Sequence, residues 1–205
     1  MARDRSPIVK QSRREGVALH PKAQRIMVKR ATPPGQHGRA RQQKQSQYAI
    51  QLREKQKVRR MYGLLEKQFA NLMDKATRMQ GQSGENLLIL LENRLDNTVY
   101  RAGFAPSRRA ARQLVSHGHF MLNDRRVDIP SIQVKPGDVI SIRQKSAKNT
   151  YFKNIDSITE IIEQPSLSWL KADNKKFTIK ITSAPKREEA EPDINEQLIV
   201  EYYSR

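Results

Sequence analysis

The residues best suited to chemistry in this 205-residue chain are two arginines at the start of an expected helix. Ser107, which follows Pro106, can cap free helix amides, and Arg108 and Arg109 come directly after it. The first turn of a helix is the positive end of its dipole, where acidic residues are preferred by about 0.3–1 kcal/mol each. Two cations there are locally unfavourable unless an anion docks. A phosphate would draw the helix amides, the Ser107 hydroxyl and both guanidiniums onto one group. Arg112 lies one turn further along, on the side of Arg108. The turn signal Asn123-Asp124, with Arg125 and Arg126 behind it, predicts a hairpin that holds Asn123 and two more cations near the helix end. Upstream, Arg53, Lys57 and Arg60 are spaced by four and three, which puts three like charges on one helical face. Phosphates would offset that repulsion; solvated side chains are the plainer alternative.

Residue types for bond-making are poorly arranged. The histidines are His20, His37, His117 and His119, and the last two lack cysteine or carboxylate partners at ligand spacing, so surface or RNA-facing roles are favoured over a metal site. Glu92 and Asp96, four apart, could pair as catalytic carboxylates, but helix-surface charges near Arg94 and Arg101 are the commoner arrangement. Neither a GxxxxGK[ST] phosphate loop nor a GxSxG nucleophile motif is present.

These residues must be positioned by surrounding elements. Residues 1–47 show little periodicity and carry the breaks Pro33-Pro34-Gly35 and His37-Gly38, which predicts an extended arm with short turns. Apolar positions from Tyr48 to Ala76 fall mostly at steps of three and four, a helical pattern with a joint at Gly63. A second helix is expected after the 81–84 loop, with Leu88, Leu91, Leu95 and Val99 on its core stripe and a stop at Gly103. The helix opened by Ser107 should end at His117-Gly118, with Ala110, Ala111, Leu114 and Val115 inward. Beyond it the period falls to two: strands around Phe120 and Leu122, then Val127 and Ile129, then 139–142 after the type II turn signal Lys135-Pro136-Gly137-Asp138. A further hairpin is expected over 169–172 and 177–181, and a short helix over 194–203. The fold class is α+β: a basic N-terminal arm (1–47), a helical domain (48–91) and an α+β domain with a small antiparallel sheet (92–184, core 92–150).

Charge distribution narrows the partner. Lys and Arg number 39 against 21 Asp and Glu, a formal net charge of +18. Residues 1–60 hold 17 basic against 3 acidic side chains, 61–144 hold 12 against 8, and 145–205 hold 10 against 10. A basic head on a neutral tail fits an arm reaching into a polyanion. The longest apolar run, 87–91, is far short of the roughly 20 residues a bilayer span needs, and the basic first thirty residues lack a secretory apolar core. Cysteine is absent, which rules out disulfides and thiolate metal sites. Aromatic residues make up only 6%, too few for a reader that stacks successive bases, so recognition should follow backbone shape.

The motifs Arg94-Leu95-Asp96, Ser107-Arg108-Arg109, Arg112-Gln113-Leu114-Val115, His117-Gly118, Leu122-Asn123-Asp124 and Lys135-Pro136-Gly137-Asp138 resemble the S-four RNA-binding module. That module also accompanies pseudouridine synthases and some aminoacyl-tRNA synthetases. The flanking motifs Arg13-Arg14-Glu15-Gly16, Pro33-Pro34-Gly35-Gln36-His37-Gly38, Gln51-Leu52-Arg53-Glu54-Lys55-Gln56-Lys57, Gly84-Glu85-Asn86 and Asp193-Ile194-Asn195-Glu196 resemble the bacterial small-ribosomal-subunit protein four family. The resemblance implies a structural, non-enzymatic constituent of the small subunit in the cytoplasm. It implies binding to the 5′ domain of small-subunit ribosomal RNA early in assembly and an influence on decoding accuracy. Implied partners are small-subunit protein five and messenger RNA near the entry channel, with no membrane. It also implies that residues 92–184 are an RNA-binding domain inserted in the helical domain, which residues 185–205 complete by packing the terminal helix on residues 48–90.

The RNA-binding candidates are then Arg13, Arg14, Lys29, Arg30, Gln36, His37, Arg39, Arg41 and Lys44 in the arm. The helical region adds Arg53, Lys55, Lys57, Arg59 and Arg60. The module adds Ser107, Arg108, Arg109, Arg112, Gln113, His117, Asn123, Arg125 and Arg126. Several family members bind zinc through four N-terminal cysteines; this chain has none, so no metal or other cofactor is expected and RNA contact should order the arm. Two rival readings remain: an RNA-modifying enzyme, for which no catalytic-size domain is left over, and a DNA-binding helix-turn-helix across 103–107.

Overall fold

The computed structural model describes residues 4, 6–39, 44–155, 157, 167–173 and 176–204. The fold is α+β and divides into two compact units, Met1–Leu87 with Asp193–Arg205, and Leu88–Pro192.

The first unit is helical. α1 (Ile8–Glu15) ends on Gly16 in the left-handed region (φ 75°), and α2 (Pro21–Lys29) starts with proline after a His20 cap whose Nδ1 accepts from the Lys22 amide at 3.1 Å. These helices correct the expectation of an extended arm. Few apolar residues are needed here because the contact is made by small and polar groups: Ala23, Ser12 and Gln11 are buried, and the Ser12 hydroxyl accepts from the Leu19 amide at 3.2 Å. A single 3₁₀ turn follows at Gln36–Arg39. α3 (Gln47–Met61), capped by Ser46, and α4 (Glu66–Arg78) meet at Gly63 (φ 65°), the joint expected from the sequence. Val58, Met61, Leu64, Phe69, Met73 and Ala76 form the core of this unit. The terminal helix α10 (Glu196–Tyr203) packs on α3, with Gln51 Nε2 donating to Glu201 Oε2 at 2.6 Å and Lys57 Nζ donating to the Asp193 carbonyl at 2.6 Å. A Cβ on Gly84 would lie 2.7 Å from Glu196 Cγ, so only glycine fits at this packing point.

The expected second helix is two helices. α5 (Ser83–Glu92) ends in a turn at Asn93, Arg94 is extended, and α6 (Leu95–Arg101) begins after it. The apolar stripe is continuous across the break, so periodicity could not show it. The break is made by distant chain: the Val134 amide donates to Asn93 O at 2.9 Å, the Leu95 amide to Ile132 O at 2.9 Å, and Arg94 bridges Gln133. The Asn97 side-chain amide then ties the two helices by donating to Glu92 O at 3.0 Å and Glu92 Oε2 at 2.8 Å.

α7 (Arg108–Ser116) precedes five strands: β1 (Phe120–Leu122), β2 (Arg125–Val127), β3 (Val139–Ile142), β4 (Leu170–Asp173) and β5 (Thr178–Ile181). They form one antiparallel sheet in the order β2-β1-β3-β5-β4, with Phe120 opposite Val127 and Ile142, and Ile140 opposite Ile179. Short helices α8 (Gln144–Ala147) and α9 (Thr150–Lys153) follow β3. The second core gathers Leu95, Val99, Ala111 and Val115 from the helices with Phe120, Ile140, Ile179 and Trp169 from the sheet region.

Candidate nucleic-acid interface

Helix α7 sorts its residues by side. Ser107 is extended and its hydroxyl accepts from the Ala110 amide at 3.3 Å, so the cap forms as the sequence predicts. Ala111, Arg112 and Val115 are buried, while Arg109, Gln113, Ser116 and His117 are exposed, a stripe at steps of three and four. The helix stops at Gly118 (φ 69°), and the β1–β2 hairpin closes through Asn123 (φ 48°) and Asp124 (φ 63°), a two-residue turn of the type that matches strand twist.

The hairpin reaches back to the helix. A Cβ on Gly118 would lie 2.8 Å from Arg126 Nε and 2.9 Å from its Nη2, so the guanidinium rests on the glycine at the end of α7. A cation is favoured at that negative helix end. Arg125 and Arg126 are both exposed. Asn123 serves the fold: its side-chain amide donates to Asp138 Oδ1 at 2.8 Å and its side-chain carbonyl accepts from the Val139 amide at 2.9 Å, locking two turns together. Sequence reasoning missed Arg143, whose Nη1 donates to Gly118 O at 3.1 Å and adds a cation at the same helix end. Its only signal was its place directly after β3. The His119 ring approaches His117 at 6.0 Å and shares a hydrogen bond with the Ser146 hydroxyl at 3.0 Å. Burial, with His117 and Arg143 nearby, holds His119 below the ordinary histidine value, which favours its neutral form.

Arg108 and Arg112 do not share the exposed face. Arg108 Nη2 meets Glu191 Oε1 at 2.7 Å, and Arg112 is buried, with Nη1 3.8 Å from Asp96 Oδ2. Nor are Glu92 and Asp96 helix-surface charges. Both are buried, Glu92 in a two-point pair with Arg101 (3.0 and 2.9 Å) and Asp96 in one with Arg94 (3.1 and 3.0 Å). Burial without such partners would be prohibitive.

In the first unit, most of the proposed cations of α3 serve the fold. Glu15, its side chain only 1% exposed, accepts from Arg53 at 3.3 Å and from Arg60. Burial raises the Glu15 carboxyl above its ordinary value, while Arg53, Arg60, Arg14 and Lys57 oppose the rise. Lys57 pairs with Glu54 at 2.8 Å, and Arg59 donates to Gln56 Oε1 at 2.9 Å and Leu64 O at 3.2 Å. Lys55 is internal: its ammonium donates to Glu66 at 2.6 Å and lies 4.3 Å from the centre of the Tyr202 ring. Lys55 and Arg112 therefore leave the set of surface contacts. Arg13 pins the proline loop by donating to Thr32 O at 2.9 Å and Pro33 O at 3.3 Å. Together with Arg14, Gln36, His37 and Arg53 it lines an open cleft of about 700 Å³. Lys29, Arg30 and Lys44 are exposed, Arg39 closes the 3₁₀ turn, and Arg41 lies outside the described residues.

Without cysteine, and with no cluster of three or more His, Asp or Glu able to hold a metal among the described residues, the donor set does not fit a zinc site. Among the described residues no helix is long and apolar enough to cross a membrane.

Residues 3–92 match the ribosomal protein S4/S9 N-terminal domain and residues 93–140 match the S4 domain. The chain is 50% identical over 206 residues to the small ribosomal subunit protein uS4 of Roseiflexus sp. (strain RS-1), covering all of both chains. It is 49% identical to the proteins of the same name from Pelodictyon phaeoclathratiforme, over 209 residues, and Syntrophomonas wolfei, over 211, again across all of each chain.

Proposed function

The chain belongs to the small ribosomal subunit protein uS4 family, and from that premise we propose that it binds small-subunit ribosomal RNA through phosphate contacts made by Arg109, Gln113, His117, Arg125 and Arg126. As a ribosomal protein it is a structural component and not an enzyme. The observation that carries the reading is the exposed stripe of α7 continued by Arg126 across Gly118, opposite a side of the helix that is packed into the core. Rigid cations spaced along a helix and a hairpin suit the fixed phosphate geometry of folded RNA. The cleft of Arg13, Arg14, Gln36 and His37 is a second contact region, within the first unit.

The finer assignments follow from the resemblance: binding to the 5′ domain, early action in assembly, an influence on accuracy, contact with small-subunit protein five and with messenger RNA, and a cytoplasmic location. The partition into a basic arm, a helical domain completed by the C-terminus and an RNA-binding domain is proposed with them.

Competition tests the reading. A junction-containing fragment of small-subunit ribosomal RNA, bound to the full chain at fixed salt, should resist displacement by duplex DNA of equal length. Equal potency of the two competitors would refute RNA recognition and leave only generic polyanion binding.

A further inference from the structure

The anion expected at the start of α7 is present, and it belongs to the chain itself. Glu191 Oε1 lies 2.7 Å from Arg108 Nη2 and 3.3 Å from Arg101 Nη2. Neither guanidinium depends on Glu191 for its orientation. Arg101 is fixed by its two hydrogen bonds to Glu92. Arg108 Nε donates to Asn97 Oδ1 at 2.8 Å, and its guanidinium carbon lies 4.7 Å from the centre of the Tyr100 ring. Side-chain exposure rises from 6% at Arg101 to 15% at Arg108 and 26% at Glu191, so the carboxylate is the outermost of the three. It sits in irregular chain, two residues after the 3₁₀ turn Arg187–Glu189.

We propose that Arg101 and Arg108 form a phosphate site for RNA in which Glu191 is the resident, exchangeable anion, so that Glu191 limits RNA affinity. The proposal rests on the RNA-binding reading above. A carboxylate and a phosphate make the same demand on a planar guanidinium, and one can replace the other without rebuilding the receptor. With Glu92 paired to Arg101, Glu191 is, among the described residues, a carboxylate 2.7 Å from Arg108, and an incoming phosphate must compete with it.

The test uses the full chain with Glu191→Gln, and with Glu188→Gln as a control that removes the same charge from an exposed position three residues away. Glu191→Gln should tighten binding to the ribosomal RNA fragment about three- to tenfold at fixed salt, while Glu188→Gln has little effect. Glu191→Asp, shorter by one methylene, should lie between wild type and Gln. In an Arg108→Ala background the gain should vanish, because the two residues act at one site. Fluorescence of the buried Trp169 confirms that each variant is folded. Unchanged or weaker binding by Glu191→Gln, an equal gain from Glu188→Gln, or a gain that survives Arg108→Ala would overturn the proposal. Failure of the wild-type chain to bind the RNA would instead sink the reading beneath it.

Discussion

Helices α3 and α7 each carry a run of basic residues, and they use it in opposite ways. On α3, Arg53 and Arg60 share the buried Glu15, Lys57 pairs with Glu54, and Lys55 is enclosed by Glu66 and Tyr202. On α7, Arg112 turns inward to Asp96 and Arg108 pairs with the more exposed Glu191, while Arg109 stays exposed. Like charges at helical spacing therefore call for counter-charge, but that charge can come from the chain's own carboxylates as readily as from a nucleic acid. A basic stripe is diagnostic of a polyanion only where the fold leaves it outside.

The contrast can be broken most directly at Asp96. It neutralises Arg94 and faces Arg112 with its side chain only 6% exposed, so Asp96→Ala should destabilise the second unit by about 3–5 kcal/mol, read as an earlier loss of the Trp169 signal in urea. A loss under about 1 kcal/mol would mean that the inner side of α7 does not need its acid. The next test sets the helices against each other. Arg60→Ala should lower stability by about 1–3 kcal/mol, by leaving the buried Glu15 with fewer donors, and should leave the salt dependence of RNA binding nearly unchanged. Arg126→Ala should do the reverse, keeping stability within about 0.5 kcal/mol and making the slope of log K against log salt shallower by about 1. Identical profiles for the two variants would erase the distinction.

The smallest effect is in pH. Glu66, held below its ordinary value by Lys55 and Tyr203 despite partial burial, contributes stability present above pH 4.5 and lost as pH falls through its lowered value. Glu15, raised by burial, has the opposite sign: its contribution is present below pH 4.5 and lost as pH rises through its raised value. Acid titration followed by circular dichroism should therefore lose less stability in Glu66→Gln than in wild type, and more in Glu15→Gln.

Much of this was legible in local chain. The Ser107 cap, the Gly118 stop, the Asn123-Asp124 turn and the Lys135-Pro136-Gly137-Asp138 turn each depend on neighbours within a few residues, and each formed where expected. The helices of residues 8–29 were missed because their contacts are polar and small, which apolar periodicity does not register. The break at Asn93-Arg94 was missed because it is imposed by residues 132–134, about forty positions away.

By itself, then, the sequence determined a basic, cysteine-free α+β chain, its family and the turn and cap residues of its RNA-binding module, since charge totals and short-range backbone preferences are properties of neighbouring residues. Only the tertiary structure decided which cations are available. Whether an arginine meets a phosphate or a carboxylate depends on what the rest of the chain brings within about 3 Å of it, as Glu15 does for Arg60 across 45 residues and Glu191 for Arg108 across 83.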